Sequence, residues 1–466
     1  MLKTWIAVTT GKLAAWASKT LTKGAGTSLP GVVALKVFPQ VLKSLAHQVP
    51  KQGIIGITGT NGKTTSAGLI AAFLEAKPTQ VIHNQLGANM LSGITSALLL
   101  QTDSTAHLKA DHLVLEIDEA SLTKVTAQAP LHTLAVTNLF RDQLDRYGEL
   151  DTTAQFITNA FPNVSGAIIL NADEPLVASM GKHLPEGVKP LFFGIQNLPF
   201  GQSDSDSSVQ ADGGVPFPLE VCSCPSCGTD LSYTHRFYAQ VGHYHCENCG
   251  YQRPTPSVLG TVLKQSPAEA VLQIEAPTLG KIEPFELKTS LVGTFNLYNL
   301  LLAVTVGLLH GVSPQAMQLA LNEYEGVFGR AERRTVQGKA VQVLLIKNPA
   351  GATEVLKLVE QDPNARLLIA INDDYADGRD VSWLWDAPFE RLTQATAPLF
   401  VSGRRSGDMA VRLQYAGIPA NAIIEQETLK TCLKQVLDAV QPHETLYILP
   451  TYTVLLNLRT LWDELN

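Results

Sequence analysis

The sequence lacks any uninterrupted apolar run approaching the roughly 18–20 residues that a bilayer-crossing helix requires. Nothing in it reads as a membrane span. The opening stretch MLKTWIAVTTGKLAAWASKTLTKGAG sets apolar residues after an early lysine, as a secretory leader does. Lys12 and Lys19 interrupt it, however, and no A-x-A-like site follows a long apolar core. An excess of basic charge is missing as well. With 35 Lys and Arg against 42 Asp and Glu, the formal charge is -7, which argues against broad binding to a nucleic-acid backbone, because such binding rests on clustered cations that release counterions. Cysteine is scarce, with six in 466 residues. Five of the six, Cys222, Cys224, Cys227, Cys246 and Cys249, crowd into one segment, so disulfides do not staple the chain as a whole. The expected setting is the cytosol.

What is present describes a globular protein, 45% hydrophobic and 17% charged, too long for one ordinary core. Residues 1–50 read as helices joined by GAGTSLPG (24–31). From Gly53 onward, short apolar runs alternate with amphipathic helices: GIIGIT, VLEI (114–117), TLAVTN (133–138) and AIILN (167–171). That alternation predicts βαβ units and a mostly parallel sheet. A polar Gly/Ser/Asp/Pro linker spans 197–216, followed by the cysteine-rich segment, strand-like pieces near 259–292 and an apolar helix over 296–310. A second α/β pattern follows with AVQVLLI (340–346), RLLIAIN (366–372), LFVSG (399–403) and TLYILPT (445–451). The expected organisation is a helical segment 1–50, an α/β domain 51–332 with an insertion at about 218–256, and a second, Rossmann-like α/β domain 333–466.

The sharpest local pattern is GIIGITGTNGKTTSAGLIAAFLEA, an apolar strand, a Gly-rich turn and a helix. Backbone N–H groups of such a turn, with the positive end of the helix dipole, cradle phosphate oxygens. Lys63 is placed to meet the β/γ-phosphates, and the Thr64 hydroxyl to ligate Mg²⁺. The full G-x-x-x-x-G-K-[ST] pattern is not met, because Ile57 stands at its first position. The shorter form Gly59-Thr60-Asn61-Gly62-Lys63-Thr64-Thr65 is met. Cys224-Pro-Ser-Cys227 and Cys246-Glu-Asn-Cys249 form a second strong pattern, with 18 residues between the pairs and a Gly after each. Two such knuckles can surround Zn²⁺ tetrahedrally, and four thiolates leave no open position, so the metal is expected to be structural. His243 and His245 are the competing ligands, and Cys222 reads as a bystander.

In its phosphate loop the chain resembles the Mur ligases and the related folylpolyglutamate synthases, and further similar segments follow in order. VLEIDEAS resembles the segment that offers a Mg²⁺-binding Glu, which implies Glu116, with Glu119 in reserve. TNLFRDQLDRYGE resembles T-N-x-x-x-D-H-L-D-x-x-G, LNADEP the N-x-D-D-P element near adenine, and GTFNLYNLLLA the pattern G-x-x-N-x-x-N-x-x-A. The resemblance thus implies that Asn171 and Asn296 approach the nucleotide and that Arg330, in GRAER, reaches the phosphates. IKNPAG stands where the family often has H-N-P. Three departures are plain. Gln143 replaces a His that helps hold a second metal, no lysine lies between Arg146 and Lys182 to be carbamylated, and about 50 residues replace the usual N-terminal domain.

The phrase AINDDYADGRDVSWLWD (370–386) gathers Asp373, Asp374, Asp377, Asp380 and Asp386 after a predicted strand. Read alone it is an acidic loop anchored by tryptophans. Together with the four-cysteine zinc-ribbon insertion and the phosphate loop, it resembles the MurT group of Mur ligases. That resemblance implies ATP-dependent amidation of the D-glutamate α-carboxylate in the lipid II stem peptide, with membrane contact at the inner face only through the lipid-linked substrate or a partner. Ammonia would come from a GatD-type glutamine amidotransferase partner in a heterodimer, and Asp377, or failing that Asp380, would orient the partner's His. The chain itself offers no glutaminase nucleophile, because Cys432 sits in KTCLKQVLDAV, an amphipathic helix where it reads as a buried thiol. Two other readings stand beside this one. One is a Mur or folylpolyglutamate-type ligase that adds an amino acid; the other is a nucleotide-binding scaffold whose ribbon recruits nucleic acid or protein.

Overall fold

The computed structural model describes residues 2–21, 28–84, 88–140, 150–198, 223–266, 269–291, 293–324, 330–395 and 398–465. Gln143, Cys222 and the side chain of Arg330 lie outside them, as does most of the polar linker.

Strands β1 (Ile54–Thr58), β2 (Val81–His83), β3 (His112–Glu116), β4 (Leu131–Val136), β5 (Val164–Asn171) and β6 (Lys189–Asn197) pair in parallel. After the small hairpin of β7 (Ser232–Tyr238) and β8 (Val241–His245), β9 (Val258–Gln265) rejoins this sheet parallel to β6. Strands β10 (Ala270–Glu275) and β11 (Phe285–Thr289) close its edge antiparallel, giving the order β11-β10-β9-β6-β5-β4-β1-β3-β2. The order reverses at β1, which pairs with both β3 and β4. A crevice beyond the carboxyl end of β1 is where an open α/β sheet binds its ligand.

Both faces are covered, which explains why the strands read as continuous apolar runs and not as alternation. Ile55, Ile57 and Val114 point to one face, where the helices Lys63–Glu75 and Thr294–Leu309 pack through Phe73, Leu297, Leu300 and Leu301. Leu113, Leu115, Leu134 and Ile168 point to the other, toward Leu91–Leu100 and the N-terminal helices Leu2–Leu21, Leu29–Val37 and Val41–Ala46.

The second sheet begins at β12 (Arg330–Val336), antiparallel to β13 (Lys339–Leu344). Strands β14 (Ala365–Ala370), β15 (Leu399–Ser402), β16 (Ile423–Gln426) and β17 (Thr445–Pro450) complete it in the order β12-β13-β17-β14-β15-β16, parallel from β13 on. Because β17 inserts between β13 and β14, the loops after these three strands share one edge.

At the opposite, amino edge of the first sheet, His112, the first residue of β3, and His132, the second of β4, meet His310, with ring centroids 5.4 and 6.4 Å from His310. Burial, then the neighbouring His112, His132 and Lys77, depress the His310 pKa to about 4 from its ordinary 6.5. The unfolded chain therefore binds protons that the folded one refuses. Stability should be full above about pH 6.5 and fall as pH drops toward about 4. Urea midpoints across that window should decline, and His310→Asn should flatten the decline.

Candidate active site

Strand β1 stops at Thr58, and the helix after it starts at Lys63, so residues 59–62 form the turn. Gly59 and Gly62 hold φ of +116° and +87°, left-handed conformations that favour glycine, and a Cβ at Gly62 would stand 2.0 Å from Asn299 Oδ1. The turn is held from the tip of β4. The Thr60 amide donates to Asn138 O (2.8 Å), the Asn61 amide to Asn138 Oδ1 (2.9 Å), and Asn138 Nδ2 to Asn61 O (3.1 Å).

The register of β1 against β3 brings Ile57 beside Glu116, and thereby sets the next residues of β3 against the phosphate-loop helix. Thr64 Oγ1 donates to Glu116 Oε2 at 2.6 Å, and Asn89 Nδ2 donates to Glu116 Oε1 at 3.2 Å. The main chain of Glu116 is clamped by Asn84, which accepts from its amide and donates to its carbonyl at 2.8 Å each. Of the two carboxylates proposed for the metal, Glu116 is therefore the one on Thr64, while Glu119 pairs with Lys63 at 2.9 Å. Lys63 is buried. Burial alone would strip its charge, but Glu119, Asp118 and Glu116 outweigh it, and the ammonium pKa is raised above its ordinary value.

The second sheet closes over this turn through Ile346–Pro349, the segment after β13. Lys347 Nζ donates to Thr60 O at 3.1 Å, and Asn348 Nδ2 donates to Asn61 Oδ1 at 3.1 Å. Asn348 also caps the helix Pro349–Glu360 by accepting from the Gly351 amide at 2.8 Å. A cleft lies between the two units. Asn61, Gly62, Thr65, Asn138, Phe140, Tyr238 and Asn296 line one wall, and Leu344, Lys347 and Glu354 the other. Sequence reasoning assigned no role to Lys347, Asn348, Asn138 or Tyr238. The available signals were TNLFRDQLDRYGE, which holds Asn138, and IKNPAG, where Asn before Pro is a helix-capping pattern. Asn348→Ala should cost about 1 kcal/mol through the lost cap and raise KM for nucleotide several-fold with a smaller change in kcat, measurable by thermal melts and initial rates.

The remaining candidates divide. Asn296 faces the cleft, with Oδ1 accepting from Asn299 Nδ2 at 3.2 Å. Asn171 is fully buried, donating to Thr137 O (3.2 Å) and accepting from the Asp173 amide (3.0 Å), so it braces the ends of β4 and β5. Arg330 opens β12 opposite Leu344, and only its main chain is described.

The ribbon builds two matching knuckles. Gly228 and Gly250 donate back to the carbonyls of Cys224 and Cys246, at 2.9 and 3.0 Å, and both glycines have positive φ. The four Sγ atoms lie within 4.8 Å of one another, with the Cys224–Cys249 and Cys227–Cys246 pairs at 3.5 Å. A disulfide would hold sulfurs about 2.05 Å apart, whereas a tetrahedral metal with bonds of about 2.3 Å sets them roughly 3.8 Å apart. The tetrad is thus shaped to hold a metal ion. His243 Nε2 faces Ile195 O (2.8 Å) and His245 Nε2 faces Glu247 (2.6 Å), so both rings are engaged elsewhere. The hairpin β7–β8 carries the ribbon's influence into the site: the Tyr238 ring packs tilted against Phe140 and edge-on against Tyr298, and Gln240 Nε2 donates to Leu139 O at 2.8 Å.

On the carboxyl edge of the second sheet, Asp377 is buried. Its Oδ1 accepts from the Thr453 amide (2.7 Å) and its Oδ2 from the Thr453 hydroxyl (2.5 Å) and the Asp374 amide (3.2 Å). Burial raises its pKa despite those donors. Asp380 is exposed, and the Ser382 amide and hydroxyl hold its pKa low. The loop bearing Asp377 and the segment that closes on the phosphate loop therefore occupy one edge of the sheet.

A phosphate loop at the switch point of a parallel sheet, with a second α/β unit closing over it, is the arrangement of the ATP-dependent Mur-type ligases. The family descriptions "Mur ligase middle domain" and "MurT ligase C-terminal" match residues 57–214 and 345–455. The chain is 35% identical over 440 residues to the lipid II isoglutaminyl synthase (glutamine-hydrolyzing) subunit MurT of Staphylococcus aureus (strain N315), covering 93% of this chain and 92% of that one. It belongs to the MurT family. The Streptococcus pneumoniae (strain R6) MurT subunit is 34% identical, covering 94% and 92% of the two chains. Among solved structures, a pseudomurein peptide ligase type C from Methanothermus fervidus shares the fold, with a TM-score of 0.67, 20% identity and coverage of 96% and 86%. No helix among the described residues is long and apolar enough to cross a membrane.

Proposed function

We propose that this chain is the ligase subunit that amidates the α-carboxylate of D-glutamate in the lipid II stem peptide, forming D-isoglutamine. A carboxylate is a poor electrophile, and phosphorylating it supplies a leaving group. The γ-phosphoryl group passes from ATP to a carboxylate oxygen, releasing ADP; ammonia then attacks the carbonyl carbon, phosphate departs with the bonding pair, and the nitrogen gives up one proton, leaving the carboxamide. Lys63, Thr64 and Glu116, buried and grouped directly behind the Asn61–Gly62 turn that lines the cleft, carry this reading. Gly59, Thr60, Asn61, Gly62 and Thr65 supply the cradle, and Asn296 lines the nucleotide cleft. Asn171 positions the cradle by holding Thr137, and Arg330 is assigned to the phosphates. Lys63 exchanges Glu119 for phosphate oxygens on nucleotide binding, already protonated as that task demands. The Thr64 hydroxyl and Glu116 carboxylate are adjacent oxygen donors fit for Mg²⁺, whose role when bound is to neutralise phosphate charge. Cys224, Cys227, Cys246 and Cys249 hold a structural Zn²⁺.

Ammonia needs a second subunit. Cys432 is fully buried, and burial lifts its pKa to about 12, while the other described cysteines form the metal tetrad. We assign the glutaminase step to a GatD-type partner docking on the acidic loop, with Asp377 as the carboxylate that orients its His. The proposed domains are 1–50, 51–332 and 333–466.

The test supplies the purified chain with ATP, Mg²⁺ and lipid II, using either ammonium or single amino acids as nucleophile. ADP release with ammonium and conversion of one carboxyl per stem to a carboxamide, read by mass spectrometry, are expected. Strict dependence on an amino acid would reject amidation in favour of amino-acid addition.

A further inference from the structure

The helix Leu2–Leu21 is apolar on two opposite sides. Its inner stripe, Thr4, Ala7, Val8 and Gly11, is buried. On the far side Leu2, Trp5, Ile6, Leu13 and Trp16 are exposed, at 71%, 44%, 40%, 59% and 68%, and at 3.6 residues per turn they fall within a stripe about 100° wide. A water-facing helix surface ordinarily carries polar residues there. The neighbouring helix Leu29–Val37 extends the patch with exposed Leu29, Val32 and Val37. A groove lined by Lys3, Ile6, Val37, Phe38, Pro39 and Gln40 opens on the same surface.

Charge singles out the same segment. Residues 1–50 contain Lys3, Lys12, Lys19, Lys23, Lys36 and Lys43 and no acidic residue, the first being Glu75. That is a formal +6 in a chain whose total is -7, which leaves -13 for the remainder. Lys3, Lys36 and Lys43 are exposed around the patch. Tryptophan and leucine facing outward, on a segment whose own charges are all lysine and on a helix that is no transmembrane span, is the composition of a segment lying in the headgroup region of an anionic bilayer, although the exposed Asp103 sits at its edge beside Lys12. A protein partner would not demand that every charge contributed by the segment be a cation, nor two tryptophans at its rim.

We infer that the N-terminal helices form a membrane-docking face, which seats Leu13, Trp16 and their neighbours among the acyl chains of an anionic leaflet and their lysines on lipid phosphates. This rests on the amidation reading for its purpose, since a lipid-linked stem peptide is presented at that surface, but it is measured without substrate.

The test is co-sedimentation of the full chain with vesicles of phosphatidylglycerol and phosphatidylethanolamine, beside vesicles of phosphatidylcholine alone. Wild type should partition to the anionic vesicles, and less so as salt rises. The double variant Leu13→Glu/Trp16→Glu, altered only at exposed positions, should lose about tenfold or more of that partitioning. Lys3→Gln/Lys36→Gln should weaken it more modestly and blunt its salt dependence. Absent wild-type binding, equal binding to phosphatidylcholine, or undiminished binding by the glutamate variant would overturn the inference. So would a shift in sedimentation coefficient, or loss of the glutaminase partner, in the glutamate variant, because the face would then be covered by a second copy or by that subunit. Vesicle binding with no carboxamide formed on lipid II would instead count against the amidation reading and leave the docking face standing.

Discussion

Replacing Lys63 with Ala is expected to lower carboxylate-dependent ADP release by two to three orders of magnitude, the range seen when one preorganised charge donor is lost at a reacting centre. The ammonium lies buried at the turn, within 2.9 Å of Glu119 and 3.4 Å of Thr60 O, and among the described residues no other cation bonds to Glu119. The substitution has a second consequence that must be kept apart from the first. It strands the buried Glu119 carboxylate, and an uncompensated buried charge costs about 3–5 kcal/mol or takes up a proton. A lower melting temperature is therefore expected along with the lost rate. The double variant Lys63→Ala/Glu119→Gln should recover most of the stability and none of the activity. Glu119→Gln alone leaves Lys63 facing backbone carbonyls, Glu116 and Asp118, and should keep a substantial part of the rate. Recovery of rate in the double variant would show that Lys63 supports the fold and not the phosphoryl transfer.

How much of this was legible in the sequence depends on how local the cause was. The strands at 54–58, 112–116, 131–136, 164–171, 339–344, 365–370, 399–402 and 445–450 coincide with the apolar runs, because a sheet covered on both faces leaves no polar alternation to confuse the pattern. The phosphate loop and the cysteine knuckles are continuous in sequence and were readable for that reason. The strands at Val81–His83, Ile423–Gln426 and Arg330–Val336 are short or edge pieces with charged and polar residues, and nothing within them announces a strand. Nor could the pattern show that Glu116 takes Thr64 while Glu119 takes Lys63, since that division follows from the register of β3 against β1. The contact of Asn348 with Asn61 joins residues 287 apart and belongs to tertiary packing alone. The exposed face of the first helix was hidden for the converse reason, because apolar composition does not say which side a neighbour will cover.

Removing the metal from the cysteine tetrad is expected to disturb nucleotide binding as well as the ribbon. The ribbon has little core of its own. Cys224 and Cys246 pack with Ala178, Leu231 and Tyr244, a cluster too small to hold two knuckles together without a central bond network. Structural zinc in small domains contributes apparent binding free energies of about 10–16 kcal/mol, enough to decide whether such a unit folds at all. Cys246→Ser or chelation should therefore release one metal per chain and produce an early, separate melting transition, while the two large sheets persist. The effect should then travel along the hairpin β7–β8, because Tyr238 lines the cleft and Gln240 holds Leu139 O next to the Asn138 that pins the phosphate loop. Loss of the ribbon should raise KM for ATP about tenfold and lower kcat less, because Lys63, Thr64 and Glu116 are held by β1, β3 and their own helix. Cys432→Ser serves as control, since that thiol lies in a different core and should leave metal content and KM unchanged. An unaltered KM in metal-free protein would mean that the hairpin keeps its place through its packing on Phe140 and Tyr298 alone.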